Sequence, residues 1–127
     1  MGKQKKYTLE YVIRSSPLVL YNFLTSPTGL QQWFADAVDN DGTTYYFTWG
    51  LSTETAELIS TDDDDFIRYR WDYYDDDKYF EFRIEKGEIT EDTILYITDF
   101  AEERDLESQK QLWDVQIKNL IKRIGAS

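Results

Sequence analysis

The stretch SSPLVLYNFLTSPTGLQQWF, residues 15–34, determines how the rest of the sequence is interpreted. It contains two Ser-Pro pairs, and each pair is typical of a helix start, because the serine hydroxyl can cap free N–H groups and proline tolerates the first helical position. Apolar side chains follow at helical spacing: Leu20, Phe23 and Leu24 after the first pair, and Leu30, Trp33 and Phe34 after the second. The stretch therefore predicts two short helices that form an elbow.

A β-strand is predicted immediately before the elbow. Residues 7–14, YTLEYVIR, alternate apolar and polar side chains with a period of two, as a half-buried strand does. Residues 1–6 carry three lysines and no apolar side chain after Met1, and we expect them to be disordered. No linker or repeat interrupts the chain, so a single domain over residues 1–127 is predicted.

Residues after the elbow predict an antiparallel meander. The β-rich runs cover 44–49, 53–60, 66–73, 79–89 and 93–99, with breaks at 62–65, 75–77 and 90–92. Asp41-Gly42 predicts a tight hairpin turn, because this pair accepts the positive φ values that such a turn needs. Phe80, Phe82 and Ile84 alternate with charged residues, which predicts a sheet with one apolar and one wet face.

A long amphipathic helix is predicted at the C-terminal end, over about 103–124. Its apolar positions recur with the helical period: Leu106, Trp113, Ile117, Leu120, Ile121 and Ile124. Acidic residues lie at its start and basic residues at its end, which is favourable for the helix dipole. Gly125 supplies the residue that commonly terminates a helix. The predicted class is therefore α+β, with a curved antiparallel sheet wrapped around one long helix.

Composition excludes several classes of function. The 127 residues include 14 Lys plus Arg against 25 Asp plus Glu, a formal charge of −11 that repels phosphate groups and excludes nucleic acid as a partner. The chain has no Cys and no His, which excludes disulfides, thiol or imidazole catalysis, and zinc or haem sites that use those ligands. No apolar run is long enough for membrane insertion, and we expect a cytoplasmic protein.

The many aspartates raise the possibility of a calcium site. Eight of them lie within residues 62–77. A calcium-binding loop fails, however, because the register set by Gly42 places Ala37 and Thr48 at the two positions that need carboxylates. These aspartates are interpreted as solvated turn residues, and no metal or other cofactor is predicted.

Two further sets of residues leave alternatives open. Glu54, Glu57 or Asp72 could act as a general acid or base in a cavity, although no spacing singles out a pair and no catalytic residue is assigned. The four tryptophans could converge between the sheet and the last helix: Trp33, Trp49, Trp71 and Trp113. They indicate either ordinary core packing or the lining of a ligand cavity.

The predicted order of elements resembles the helix-grip fold of the START-like superfamily, also called SRPBCC. The turn formed by Thr25, Pro27, Leu30, Trp33 and Phe34 is similar to the T-x-P-x-x-L-x-x-W-[WF] motif of domains related to the activator of heat-shock-protein ATPase. RYRW at 68–71 is similar to the mid-sheet strand of those domains, and LYITDF at 95–100 is similar to their last strand. The chain departs from them in having Leu112 where a glycine is common, and in its lack of histidine.

The resemblance implies a cavity between the sheet and the last helix, and a non-enzymatic module that binds a small apolar or aromatic molecule there. The implied lining consists of Trp33, Phe34, Phe47, Trp49, Tyr69, Trp71, Phe80, Phe82, Trp113 and Ile117. Two alternatives remain: a co-chaperone-like interaction domain that docks a basic protein on the sheet edge or on the acidic loops at 62–65 and 75–77, and a cavity enzyme with a carboxylate or tyrosine of perturbed pKa.

Overall fold

The computed structural model describes residues 3–62, 65–87 and 92–125. Within these ranges the chain forms seven strands and three α-helices. In chain order they are β1 (Gln4–Ile13), α1 (Pro17–Thr25), α2 (Pro27–Leu30), β2 (Ala37–Asp41), β3 (Thr44–Trp49), β4 (Ser52–Asp62), β5 (Phe66–Trp71), β6 (Phe80–Lys86), β7 (Thr93–Glu102) and α3 (Leu106–Ile124). The predicted breaks at 62–65 and 90–92 and the end of the run at 79–89 fall partly on residues 63, 64 and 88–91, which lie outside the described residues.

The strands form one antiparallel sheet in the order β1-β7-β6-β5-β4-β3-β2. Strands β2 to β7 pair with their neighbours in sequence, as a meander does, and β1 adds to the free side of β7. The first pairs of β1 are Gln4 with Glu102 and Lys6 with Phe100. Disorder was predicted for residues 1–6, but the structure places residues 4–6 in β1, because β7 extends beyond its predicted end and provides them with a partner.

The two Ser-Pro pairs begin the two short helices, as predicted. Ser16 Oγ accepts a hydrogen bond from Val19 N (3.2 Å), and Ser26 Oγ accepts one from Gly29 N (2.9 Å). An added Cβ on Gly29 would lie 2.5 Å from the Asn22 carbonyl oxygen, so the close approach of α1 and α2 requires glycine here. This contact fixes the elbow and the direction in which the residues after α2 continue.

The sheet has an apolar inner face and a polar outer face, as the alternation predicts. Tyr69, Phe80 and Phe82 lie on the inner face and are fully buried. On the outer face Glu81 is also buried, because Arg68 Nη2 lies 2.7 Å from its Oε1 and shields the carboxylate from water. The centre of the outer face is therefore less exposed to solvent than the sequence pattern predicts.

The last helix lies against the inner face through Trp113, Ile117 and Leu120. Its first predicted residues form a 3-10 turn (Glu103–Asp105) that leads directly into α3. Gly125 ends the helix with a φ of 82° and donates its N–H to the carbonyls of the last turn. Among the described residues, no helix combines the length and the apolar character needed to cross a lipid bilayer.

Candidate ligand-binding site

Aromatic side chains fill most of the space between the sheet and α3. Phe34, which follows α2, lies at the centre of this cluster, with its ring centroid 5.2 Å from that of Phe47 and 5.9 Å from that of Trp113. Other rings within 6.4 Å of it belong to Trp33, Trp49, Trp71, Phe80 and Phe82. The middle of the domain is therefore a packed core, and space for a ligand lies at its margin.

A cavity of about 410 Å³ opens beside this core, between α3 and the strand ends of β3, β4 and β5. Its walls are largely aromatic, and the rest of the described lining consists of one leucine and four polar residues. The lining residues are Phe34, Trp49, Glu54, Trp71, Tyr73, Tyr74, Asp99, Gln109, Leu112, Trp113 and Gln116. β5 ends at Trp71, earlier than predicted, because Tyr74 N–H turns back to the Trp71 carbonyl (3.0 Å). This turn brings Tyr73 and Tyr74 to the cavity.

The ten residues of the predicted lining occupy three positions. Phe34, Trp49, Trp71 and Trp113 line the 410 Å³ cavity. Trp33 lines a second, broader cavity described below. The others lie deeper in the core, away from both cavities: Phe47, Tyr69, Phe80, Phe82 and Ile117. Contact of any of the ten with a ligand stays a prediction.

Asp99 is the main polar residue at the cavity, and the sequence analysis did not single it out. It is only 5% exposed and lies on the inner face of β7. Tyr74 Oη (2.7 Å) and Phe100 N (2.8 Å) donate to its Oδ1, and Trp113 Nε1 (3.2 Å) donates to its Oδ2. Burial raises the pKa of this carboxyl from 3.8 to about 6, although these three donors and the nearby Tyr7 hydroxyl act against that rise. Asp99 therefore titrates near neutral pH.

Tyr7 lies directly opposite Asp99 in the pairing of β1 with β7. Its hydroxyl is buried and, among the described residues, lacks a hydrogen-bond partner of good geometry. Burial, together with the nearby charge of Asp99, raises the pKa of Tyr7 far above its usual value of 10. Tyr7 thus stays protonated and keeps an uncommitted donor close to the carboxylate.

The other charged groups at this cavity are also acidic. Glu54 lies on the inner side of β4 and lines the cavity, whereas Glu57 and Asp72, the other two carboxylates considered from the sequence, are exposed outside it. Tyr73 is 63% exposed, but partial desolvation of its hydroxyl, with Glu54 and Asp99 nearby, raises its pKa to about 12. The lining as described contains neither lysine nor arginine, so the cavity has a negative potential.

A second and broader cavity, of about 860 Å³, adjoins the first along the same side of α3. The two cavities share Phe34, Trp49, Leu112 and Gln116 as a common wall. The second cavity differs in charge, because Lys122 and Arg123 line it beside a single acidic residue of the described lining, Asp36. Trp49 Nε1 donates to the Phe34 carbonyl (2.8 Å), which holds the shared wall in place.

The acidic loop at 75–77 lies outside both cavities. Over residues 3–62, 65–87 and 92–125, no group of three or more acidic side chains is placed to hold a metal ion. Asp75, Asp76 and Asp77 are exposed in the loop after β5. The hydrogen bond from Lys78 lowers the pKa of Asp77. Docking of a basic partner on this loop stays a prediction.

Comparison with known proteins agrees with this fold. The sequence model described as the START-like superfamily domain matches residues 1–126. The chain belongs to the START-like superfamily. BfR322 from Bacteroides fragilis, solved by solution NMR, is 36% identical over 100% of this chain and 94% of its own, with a TM-score of 0.70.

Two more distant structures show the same architecture. The Aha1 dimer from Colwellia psychrerythraea is 16% identical over 94% of this chain and 96% of its own, with a TM-score of 0.79. CalU16 from Micromonospora echinospora is 14% identical over 92% of this chain and 74% of its own, with a TM-score of 0.73. At these identities the likeness concerns the fold alone. No curated protein matches the sequence.

Proposed function

We propose that this START-like domain is a non-enzymatic module that binds a small aromatic molecule in the 410 Å³ cavity beside Trp71 and Leu112. The observation that carries the proposal is the cavity itself, which has aromatic walls, a few convergent polar groups and a volume within the usual range for ligand sites. A cavity of about 150 Å³ can hold benzene, so this one suits two or three fused rings rather than a long acyl chain.

The shape of the walls supports an aromatic occupant. The rings of Trp71 and Tyr73 are nearly parallel, with an interplanar angle of 10° and centroids 5.9 Å apart. The Trp49 ring lies 6.1 Å from that of Trp71 and is tilted by 52°. Flat, rigid surfaces of this kind favour planar molecules, because stacking gains area without ordering flexible side chains.

A matched pair of helix substitutions tests the proposal. Leu112 and Val115 lie on the same helix and are about equally exposed, at 54% and 56%, but only Leu112 lines the cavity. Flavonoids, naphthyl compounds and fatty acids are screened by thermal shift and Trp emission against wild type, Leu112→Trp and Val115→Trp.

We expect at least one aromatic compound to raise the midpoint of wild type by several degrees, since about a hundredfold excess over Kd stabilises by about 2.7 kcal/mol. Leu112→Trp fills the cavity and should abolish that shift, whereas Val115→Trp should keep it. The absence of any hit, or equal binding by both variants, contradicts the proposal.

A second candidate function, acid–base catalysis in the same cavity, is favoured by one observation: two carboxylates, Asp99 and Glu54, line it, and Asp99 has a pKa near 6. The two functions differ in the fate of the bound compound. Each hit is incubated with the protein and recovered for mass spectrometry. Unchanged compound supports a binding module, and a product that wild type forms but Asp99→Asn does not form supports an enzyme.

A further inference from the structure

We infer that the ligand of this cavity carries a protonated amine, which is held between the Asp99 carboxylate and the faces of the surrounding aromatic rings. This inference rests on the proposed binding function and adds the chemical class of the ligand. It is carried by three independent features of the site: the partners of Asp99, the arrangement of the rings, and the distribution of charge between the two neighbouring cavities.

The first feature is that Asp99 is buried and has no cationic partner among the described residues. Its three donors, from Tyr74, Phe100 and Trp113, are all neutral, and no lysine or arginine of the described residues forms a salt bridge with it. A buried carboxylate is stable only when it is well compensated. Asp99 Oδ2 accepts one direct hydrogen bond, from Trp113, and the Tyr7 hydroxyl beside it is a further neutral donor, so the groups around the carboxylate supply hydrogen bonds but no positive charge.

The second feature is the set of rings that line the same cavity as the carboxylate. Trp49, Trp71 and Tyr73 line the cavity with rings of two inclinations, since Trp71 and Tyr73 are nearly parallel and Trp49 is tilted from Trp71 by 52°. A cation placed against ring faces is attracted by their negative quadrupole, most strongly by tryptophan and more so when water is excluded. Carboxylate and rings thus favour the same charge on the ligand, whereas an anion would meet repulsion from both.

The third feature is the contrast between the adjoining cavities. The cavity with Asp99 also contains Glu54, and the described residues contribute no basic side chain to its lining. The basic residues Lys122 and Arg123 lie in the second cavity, beyond the wall that contains Phe34 and Gln116. A positive group is therefore directed into the first cavity rather than the second.

The experiment uses three probes that share one ring system and differ in charge: 2-(1-naphthyl)ethylamine, 2-(1-naphthyl)ethanol and 1-naphthylacetate. Their affinities are measured by isothermal titration calorimetry near neutral pH in about 0.15 M salt, which screens surface charge. The Trp113 Nε1–H resonance is followed by NMR in the same titrations, because this group touches Asp99. Variants Asp99→Asn and Asp76→Asn each remove one charge, the first in the cavity and the second on the surface.

We expect wild type to bind the amine at least about tenfold more tightly than the alcohol and to bind the acetate weakest, with the Trp113 resonance shifting on addition of the amine. Asp99→Asn should remove most of the preference for the amine and leave the affinity for the alcohol within about twofold. Asp76→Asn should behave as wild type does in all three titrations.

The possible failures are distinct. If the alcohol binds as tightly as the amine in wild type, the cavity binds aromatic molecules but the inference about charge is overturned, and this comparison needs no variant to fold. Loss of the preference in Asp76→Asn, or its retention in a folded Asp99→Asn, shows attraction to the overall negative surface and also overturns the inference. If none of the three probes binds, the proposed function fails for this class and the inference fails with it.

Discussion

Replacing Asp99 with asparagine should change how the stability of the domain depends on pH. The folded protein raises the pKa of this carboxyl from 3.8 to about 6, so the folded state holds the proton more tightly than the unfolded state does. Its contribution to stability is therefore fully present below about pH 4 and is lost as the pH rises through about 6. Asparagine has nearly the same size but does not titrate, so this dependence disappears in the variant.

The size of the effect follows from the pKa difference. At about 1.36 kcal/mol per pKa unit, the rise from 3.8 to about 6 corresponds to roughly 3 kcal/mol over the full pH range. About half of this change, roughly 1.5 kcal/mol of stability, is lost between about pH 5 and about pH 8, the range in which the protein is easier to handle. The asparagine introduced by Asp99→Asn would also place an amide N–H near the donor of Trp113, but that cost is the same at every pH and does not alter the slope.

The assay is urea unfolding of wild type and Asp99→Asn, followed by Trp emission, at several pH values across this range. The stability of wild type relative to the variant should fall by roughly 1.5 kcal/mol from about pH 5 to about pH 8. The other carboxylates titrate in both proteins and cancel in the difference. If that difference is constant across the range, burial does not raise the pKa of Asp99, and the electrostatic argument for its role in the site is wrong.

Two substitutions test the packing that positions the site. Trp113→Ala should lower the free energy of unfolding in urea by about 3 to 5 kcal/mol, because it removes a buried indole from the core. The control Val115→Ala, at an exposed position of the same helix, should lower it by less than about 0.5 kcal/mol. A loss below about 1 kcal/mol for Trp113→Ala would show that the indole does not belong to the core. Gly29→Ala should cost about 1 to 3 kcal/mol because its Cβ would lie 2.5 Å from the Asn22 carbonyl, whereas Gly42→Ala, which has open space and a φ of 61°, should cost only the roughly 1 kcal/mol of a left-handed backbone. A loss for Gly29→Ala below about 1 kcal/mol, or smaller than that for Gly42→Ala, would contradict the tight contact between α1 and α2.

The elements and their faces were predictable because they depend on local chemistry. The Ser-Pro pairs, the Asp41-Gly42 turn and Gly125 each satisfy a backbone requirement that does not depend on distant residues. The inner face of the sheet followed from the period of two, and Trp113 was correctly assigned to the apolar side of the last helix. Pairing of residues 4–6 was missed because it depends on how far β7 extends.

The position of the cavity was not predictable from the same patterns. Alternation assigns Phe47, Phe80 and Phe82 to the inner face, but it does not say whether their rings leave space or fill it. In the structure Phe34 inserts among them and closes the centre of the domain. The remaining space depends on the volumes of all the inner side chains together, and a single sequence does not specify that sum.

A signal for Asp99 was nevertheless present in the sequence. Continuing the alternation of Leu95 and Ile97 along β7 places Asp99 on the inner face. Tyr7 begins the same alternation on β1 and faces Asp99 across the strand pair. A carboxylate at an inner position of a strand is an exception to the apolar pattern, and such exceptions are expected at functional sites.

The energetics of Asp99 connect the fold to the proposed function. Above about pH 7 its buried carboxylate destabilises the folded state by roughly 3 kcal/mol relative to a group of ordinary pKa, a large share of the stability of a small domain. Asp99 accepts a hydrogen bond from Trp113, which an uncharged acceptor could also provide, so the packing around Phe34 does not require the negative charge. A bound cation would relieve the cost by pairing with the charge, so part of the destabilisation of the free protein would become affinity for the ligand. The residue that weakens the empty domain is thus the residue expected to select its ligand.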